Sequence, residues 1–263
     1  MTASIDRLRE VLIELKQVVV AFSGGADSSF LAYVAHQTLG ADNVRVVTAV
    51  SPSLAGREER DCAALAAEWG LRWSSVATSE MENAAYRAND RDRCFHCKSA
   101  LMDAFESVVP IAGTSTVILG VNLDDLGDHR PGQQAAAERG ARFPLVEAAF
   151  TKADVRAWSE QFGLRTWDKP AAPCLASRLP YGTPVSIQLL TQVERAEAAL
   201  HGLGFADLRV RHYGDTARIE VPVADLARLV EAQSAVTAAV HRVGYRYVTV
   251  DLDGLRSGNL NGS

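Results

Sequence analysis

Short apolar runs and longer amphipathic stretches alternate through the first two thirds of the chain. Val18-Val19-Val20-Ala21-Phe22 has no polar position at all, the pattern of a strand buried on both faces. Residues 44–50, 71–76 and 117–121 repeat it. Helical periodicity fills the intervals at 28–39, at 57–69 and from near Cys97 to Val108, and a last helix covers 152–162. This rhythm predicts an α/β fold with a doubly wound parallel sheet, whose ligands sit at the carboxyl ends of the strands. Beyond it the pattern changes. Residues 167–185 (WDKPAAPCLASRLPYGTPV) hold four of the nine prolines and read as a long structured loop. A helix over 186–200, strands at 208–213 and 217–221 around a Gly214-Asp215 turn, a helix across 223–242 and a strand at 245–250 predict a small C-terminal α+β domain. The expected division is residues 1–166 and 167–263.

Composition narrows the function classes. The 263 residues carry a net charge of −5, so no basic face of the kind nucleic acid demands is implied. No apolar run approaches the roughly 20 residues of a membrane span. The opening MTASIDRLREVLIEL reads as an amphipathic helix with acidic residues rather than a secretion signal, and a cytoplasmic location is the expectation. There the four cysteines are reduced, serving as ligands or reactive thiols rather than structural disulfides.

Chemistry concentrates where the strands end. Ser23-Gly24-Gly25-Ala26-Asp27-Ser28-Ser29 follows the first strand and opens a helix. Glycines let backbone approach a phosphate, and a helix N-terminus aims free N–H groups at it. Ser23, Ser28 and Ser29 add hydroxyls, and Asp27 is suited to holding Mg²⁺ or orienting the loop. The lysine of the GxxxxGK[ST] pattern is missing, so this is not the usual γ-phosphate cradle. A glycine-rich turn with a serine helix cap is the plainer alternative, and the strand–loop–helix context favours the phosphate site. A second cluster follows the strand ending near Gly120: Asn122, Asp124, Asp125, Asp128, His129 and Arg130. Its carboxylates suit Mg²⁺ or ribose, and Arg130 suits a substrate anion. Cys94-Phe95-His96-Cys97 can bring two sulfurs to one metal centre, with Cys174 as a third thiol in the proline-rich loop. Zinc with His96, a [4Fe–4S] cluster, a redox dithiol and coincidence all remain open on spacing alone. Cys62, among alanines, reads as a small core residue. Arg209 and Arg211 alternate on one strand and so share a face, suited to a phosphate or carboxylate.

SGGADS after a buried strand resembles the PP-loop of ATP pyrophosphatases, which cut ATP between its α and β phosphates. The chain as a whole resembles the LarE family, ATP-dependent sulfur transferases that build the nickel-pincer cofactor of lactate racemase. The resemblance runs through CFHCK, GVNLDDLGDHRPG, PCLASRLPYG, RVRHYGDTARIE and the closing DLDGLRSGNL. It implies ATP with Mg²⁺, a nicotinate-derived pyridinium dicarboxylate mononucleotide as substrate, a thiocarboxylate product and a homo-oligomer, specifically a hexamer. It also implies that Cys174 delivers sulfur, and that Ser177, Arg178, Glu197 and Glu220 join Arg209 and Arg211 around the substrate. Some members sacrifice the cysteine in the place of Cys174 and keep dehydroalanine. Others carry cysteines in the places of Cys94, Cys97 and Cys174 and hold a [4Fe–4S] cluster with an extra sulfide. This sequence has all three, so the cluster version is the expectation. The competing readings are another PP-loop enzyme, such as a tRNA thiolase or an amide-forming synthetase, and a non-catalytic nucleotide-binding module. The net charge speaks against the first, and Asp27, the Asp124/Asp125 pair and Cys174 speak against the last.

Overall fold

Three successive valines leave a strand no face to offer water, and β1 (Val18–Ala21) accordingly lies inside a sheet. The structure is a computed structural model and describes residues 4–108, 115–127 and 131–256. Around β1 come α1 (Ile5–Leu15), α2 (Ala26–Leu39), β2 (Val44–Val50), α3 (Gly56–Glu68), β3 (Trp73–Ala77), α4 (Ala84–Ala88), α5 (Arg93–Val108), β4 (Thr116–Leu119), α6 (Pro131–Glu138), α7 (Pro144–Glu147) and α8 (Lys152–Gln161). The four strands are parallel, in the order β3-β2-β1-β4. Val18, Val20, Val44 and Val46 face a core shared with Leu8, Phe30, Leu31 and Val155, from α1, α2 and α8. Val19, Val47 and Leu119 face the other, with Leu101, Met102 and Phe105 of α5 and Ala136 of α6. Helices therefore cover both faces, and the sheet is doubly wound as the alternation predicts. From β1 the chain leaves toward β2 on one side and returns as β4 on the other, so a crevice opens at their carboxyl ends.

The chain forms two compact units, Met1–Asn83 with Asp92–Ala172, and Ala84–Arg91 with Pro173–Ser263. The excursion of α4 into the second unit has a clear cause. The Asn89 amide donates to the carbonyls of Pro180 and Thr183, each at 2.8 Å, and the Val185 N–H bonds Arg87 at 2.8 Å. The second unit adds α9 (Ile187–Gly202), β5 (Arg209–Tyr213), β6 (Thr216–Glu220), α10 (Leu226–Glu231), α11 (Gln233–Arg242) and β7 (Tyr247–Val250). β5 and β6 form an antiparallel hairpin, and β7 pairs parallel with β6. Leu200, Phe205, Val210, Ile219, Val240 and Tyr245 make its core.

Three boundaries differ from the sequence reading. Leu71 lies in the turn that follows α3, where its N–H bonds the Ala66 carbonyl at 2.8 Å, and β3 starts only at Trp73. α5 starts at Arg93, so both Cys94 and Cys97 lie inside it. The stretch 223–242 is a 3₁₀ turn followed by two helices. Among the described residues no helix is long and apolar enough to cross a membrane.

Candidate active site

The loop between β1 and α2 is anchored from below. Phe22 donates its N–H to Val47, and its carbonyl accepts from the Thr48 hydroxyl at 2.8 Å. The Cys62 thiol lies 3.9 Å from the same carbonyl, and burial pushes that thiol up to about 11. Gly24 then takes φ +67°, and a Cβ there would stand 2.9 Å from the Cys62 sulfur. Only glycine fits both the dihedral and the space. α2 starts with Gly25 as N-cap and no side-chain cap, so its first N–H groups stay available to an anion. Ser23 and Ser28 hold the loop together, their hydroxyls 3.0 Å apart and the Ser28 hydroxyl 3.2 Å from the Gly25 carbonyl. Ser29 is fully buried, and its hydroxyl has no hydrogen-bond partner among the described residues.

The loop after β4 lies beside it because β4 pairs with β1. Gly120 permits the approach: a Cβ there would come within 2.7 Å of the Ser28 nitrogen. The buried Asn122 donates to one Asp27 oxygen at 3.1 Å, and Lys152 forms an ion pair with the other. Asp125 accepts from the Asn122 N–H at 3.2 Å, and Asp124 accepts from the Lys152 N–H at 2.6 Å. With both oxygens engaged, Asp27 orients the phosphate loop against the β4 loop. Arg130, Asp128 and His129 lie outside the described residues.

In α5, Cys94 is exposed and Cys97 half-buried, three residues apart on one face. His96 contacts Asp92 at 3.3 Å and Asn83 at 3.4 Å, one through each ring nitrogen. None of the four cysteines is in a disulfide. Among the described residues, no group of three or more His, Cys, Asp or Glu side chains is gathered as a ligand set.

In the second unit, Cys174 precedes a 3₁₀ turn, Leu175–Arg178. Arg178 makes a two-pronged pair with Glu197, at 2.9 and 3.2 Å, and also donates to the carbonyls of Pro173 and Cys174. Arg211 makes the same kind of pair with Glu220, at 3.0 and 2.9 Å, and donates to the Ser177 carbonyl at 2.8 Å. The two guanidiniums thus clamp the backbone on either side of Cys174. Arg209 is buried beside them, and burial together with its cationic neighbours Arg178 and Arg211 lowers its pKa. With Arg218 and Asp251, which extend the cluster around Glu220, four guanidiniums face three carboxylates.

The NAD synthase family matches residues 2–119, the span from α1 to β4 that holds the phosphate loop. An uncharacterised protein of Synechocystis is 44% identical over 98% of this chain and 97% of that protein. A Lactiplantibacillus plantarum protein named pyridinium-3,5-bisthiocarboxylic acid mononucleotide synthase is 37% identical over 95% of this chain and 91% of its own length. An uncharacterised Methanocaldococcus jannaschii protein is 23% identical over 92% of each. The chain belongs to the LarE family.

As a LarE-family member it is an ATP-dependent PP-loop enzyme. Within each unit the structure gathers most of the residues that sequence reasoning singled out. Ser23, Gly24, Gly25, Asp27, Ser28, Asn122 and Asp125 meet at the crevice, while Ser177, Arg178, Glu197, Arg209, Arg211 and Glu220 surround the Cys174 loop. Glu197 and Glu220 are only 7% and 0% exposed. Lys152 was missed, and a signal for it existed. A lysine at the first position of a helix opposes the helix dipole, so its presence after the Thr151 cap asks for a nearby anion. Asp27, 125 residues earlier, is that anion.

Proposed function

We propose that the enzyme adenylates the carboxylates of a pyridinium dicarboxylate mononucleotide and converts them to thiocarboxylates, releasing pyrophosphate and AMP. One observation carries this reading: near full-length similarity to a relative named for synthesising the bisthiocarboxylic acid mononucleotide. The phosphate loop and the clamped Cys174 loop supply the two kinds of chemistry it needs.

A carboxylate is a poor electrophile. Its oxygen attacks the α-phosphorus of ATP, the α–β bridging bond breaks, and pyrophosphate leaves to the N–H groups of the phosphate loop and α2. Asp125 would hold Mg²⁺ against the phosphates, whose charge it offsets, while Asp27 keeps the loop in place. A sulfur nucleophile then adds to the carbonyl carbon and AMP departs with the original carboxylate oxygen. Each carboxylate consumes one ATP and one sulfur. If Cys174 is the direct donor, its thiolate forms a thioester, loss of its Cα proton breaks the Cβ–S bond, and dehydroalanine remains. The three thiols at 94, 97 and 174 also have the donor chemistry of a [4Fe–4S] cluster with one iron left open, which would supply an exchangeable sulfide. Arg178 and Arg211 fix the Cys174 backbone, and the surplus charge at Arg209 attracts the substrate's anionic groups.

Pyrophosphate release tests the reading. It should require the dicarboxylated pyridinium mononucleotide and be unaffected by RNA. Release that depends on tRNA instead would move the enzyme to the tRNA thiolases.

A further inference from the structure

The phosphate loop has no lysine of its own, and the fold brings one from elsewhere. The Lys169 ammonium lies 3.8 Å from where a Gly24 Cβ would stand, although the two residues are far apart in sequence. It lines an open cavity of about 580 Å³ beside α3, together with Arg57, Arg60 and Arg165. Four cations there face three carboxylates. No side chain caps the first turn of α3, so its N–H groups add to the positive end. Thr166, 1% exposed, also lines the cavity, and its hydroxyl has no partner among the described residues.

We propose that pyrophosphate held at the phosphate loop extends into this cavity, with Lys169 passing from its present carboxylate partners to a phosphate oxygen. The inference rests on the adenylation reading and names where its first product sits. Lys169 now holds Asp61 at 2.7 Å and Glu58 at 2.9 Å. Burial works against its charge, but those two bonds outweigh burial and raise its pKa, so it stays an ammonium. It can leave without stranding either acid. Asp61 keeps Arg165 at 2.8 Å, and Glu58 keeps Arg57 at 3.6 Å. Lys169 therefore acts as a cation stored beside the loop and used when phosphate arrives.

Calorimetric titration of the whole chain with magnesium pyrophosphate, without ATP, tests this directly. Lys169→Met should weaken binding about tenfold, the loss of one charge-assisted hydrogen bond, and Lys169→Arg should recover most of it. Asp61→Asn should act in the opposite direction, tightening pyrophosphate several-fold by releasing the ammonium, an effect that a folding defect cannot imitate. Wild-type affinity in Lys169→Met, or weakened binding in Asp61→Asn, overturns the proposal. Pyrophosphate binding is read without catalysis. An enzyme that binds it through Lys169 yet never adenylates a carboxylate would overturn the proposed function and leave this site standing.

Discussion

Gly24 concentrates the demands of the phosphate loop in one residue. Its φ of +67° strains any side chain, and the Cys62 sulfur occupies the place a Cβ would take. Gly24→Ala should therefore lower ATP-dependent pyrophosphate release tenfold or more, as a left-handed dihedral alone costs an L-residue about 1–2 kcal/mol. Cys62→Ala, which frees that space, should leave sulfur transfer nearly unchanged while costing about 1–2 kcal/mol of packing. The double variant should regain part of the lost rate and keep the dihedral penalty. If Cys62→Ala restores nothing in the Gly24→Ala background, the clash is not what limits the loop. At this scale the sequence was informative because SGGADSS is local: its glycines and serines act within one turn of one another. Lys152 and Lys169 were harder to find, since each completes the site only after more than a hundred residues of chain have folded back.

Two buried ion pairs dominate the second unit. Glu220 is fully buried and accepts from Arg211 twice and from Arg218 at 3.1 Å. Glu220→Gln leaves guanidiniums without their counter-charge and should cost about 3–5 kcal/mol in urea unfolding of this unit. Glu10→Gln removes the exposed pair with Arg7 and should cost at most about 1 kcal/mol. Equal costs would contradict the burial described here. The same unit responds to acid through His212, which is buried with Nδ1 3.2 Å from the Tyr245 hydroxyl. Burial holds its pKa below the ordinary 6.5, so the unfolded chain takes up this proton first as pH falls. The stability it contributes is intact above pH 6.5 and lost as pH drops through the lower, folded pKa. Melting temperatures between about pH 7.5 and 5.5 should fall less steeply in His212→Phe than in the native chain. The alternation of Arg209 and Arg211 on β5 was legible because a strand has a fixed period of two. The burial of Glu197 and Glu220 was not, because a glutamate's environment depends on which arginine the packing of α9 and β6 brings to it.

For the whole molecule, the alternation of apolar runs foretold a doubly wound sheet, and the strand order β3-β2-β1-β4 carries it out. The membership of residues 84–91 in the second unit had no such signature, because Asn89 earns its place only through carbonyls some ninety residues later. The source of sulfur is likewise a property of the assembled chain. With a cluster held by Cys94, Cys97 and Cys174, anaerobic protein should be brown and contain about four irons per chain. It should turn over repeatedly with added sulfide, and Cys94→Ala should be nearly as damaging as Cys174→Ala. Colourless protein that has lost the elements of H₂S at residue 174 after one turnover would establish sacrifice instead. Both routes share the central claim that ATP cleavage drives replacement of a carboxylate oxygen by sulfur. The most direct measurement is an anaerobic reaction with ATP and the dicarboxylated pyridinium mononucleotide, analysed by mass spectrometry. The account predicts a product heavier by the difference between sulfur and oxygen for each carboxylate converted, with one AMP and one pyrophosphate formed per exchange. Nucleotide cleavage with the substrate's carboxylates unchanged, or converted to amides, would contradict it.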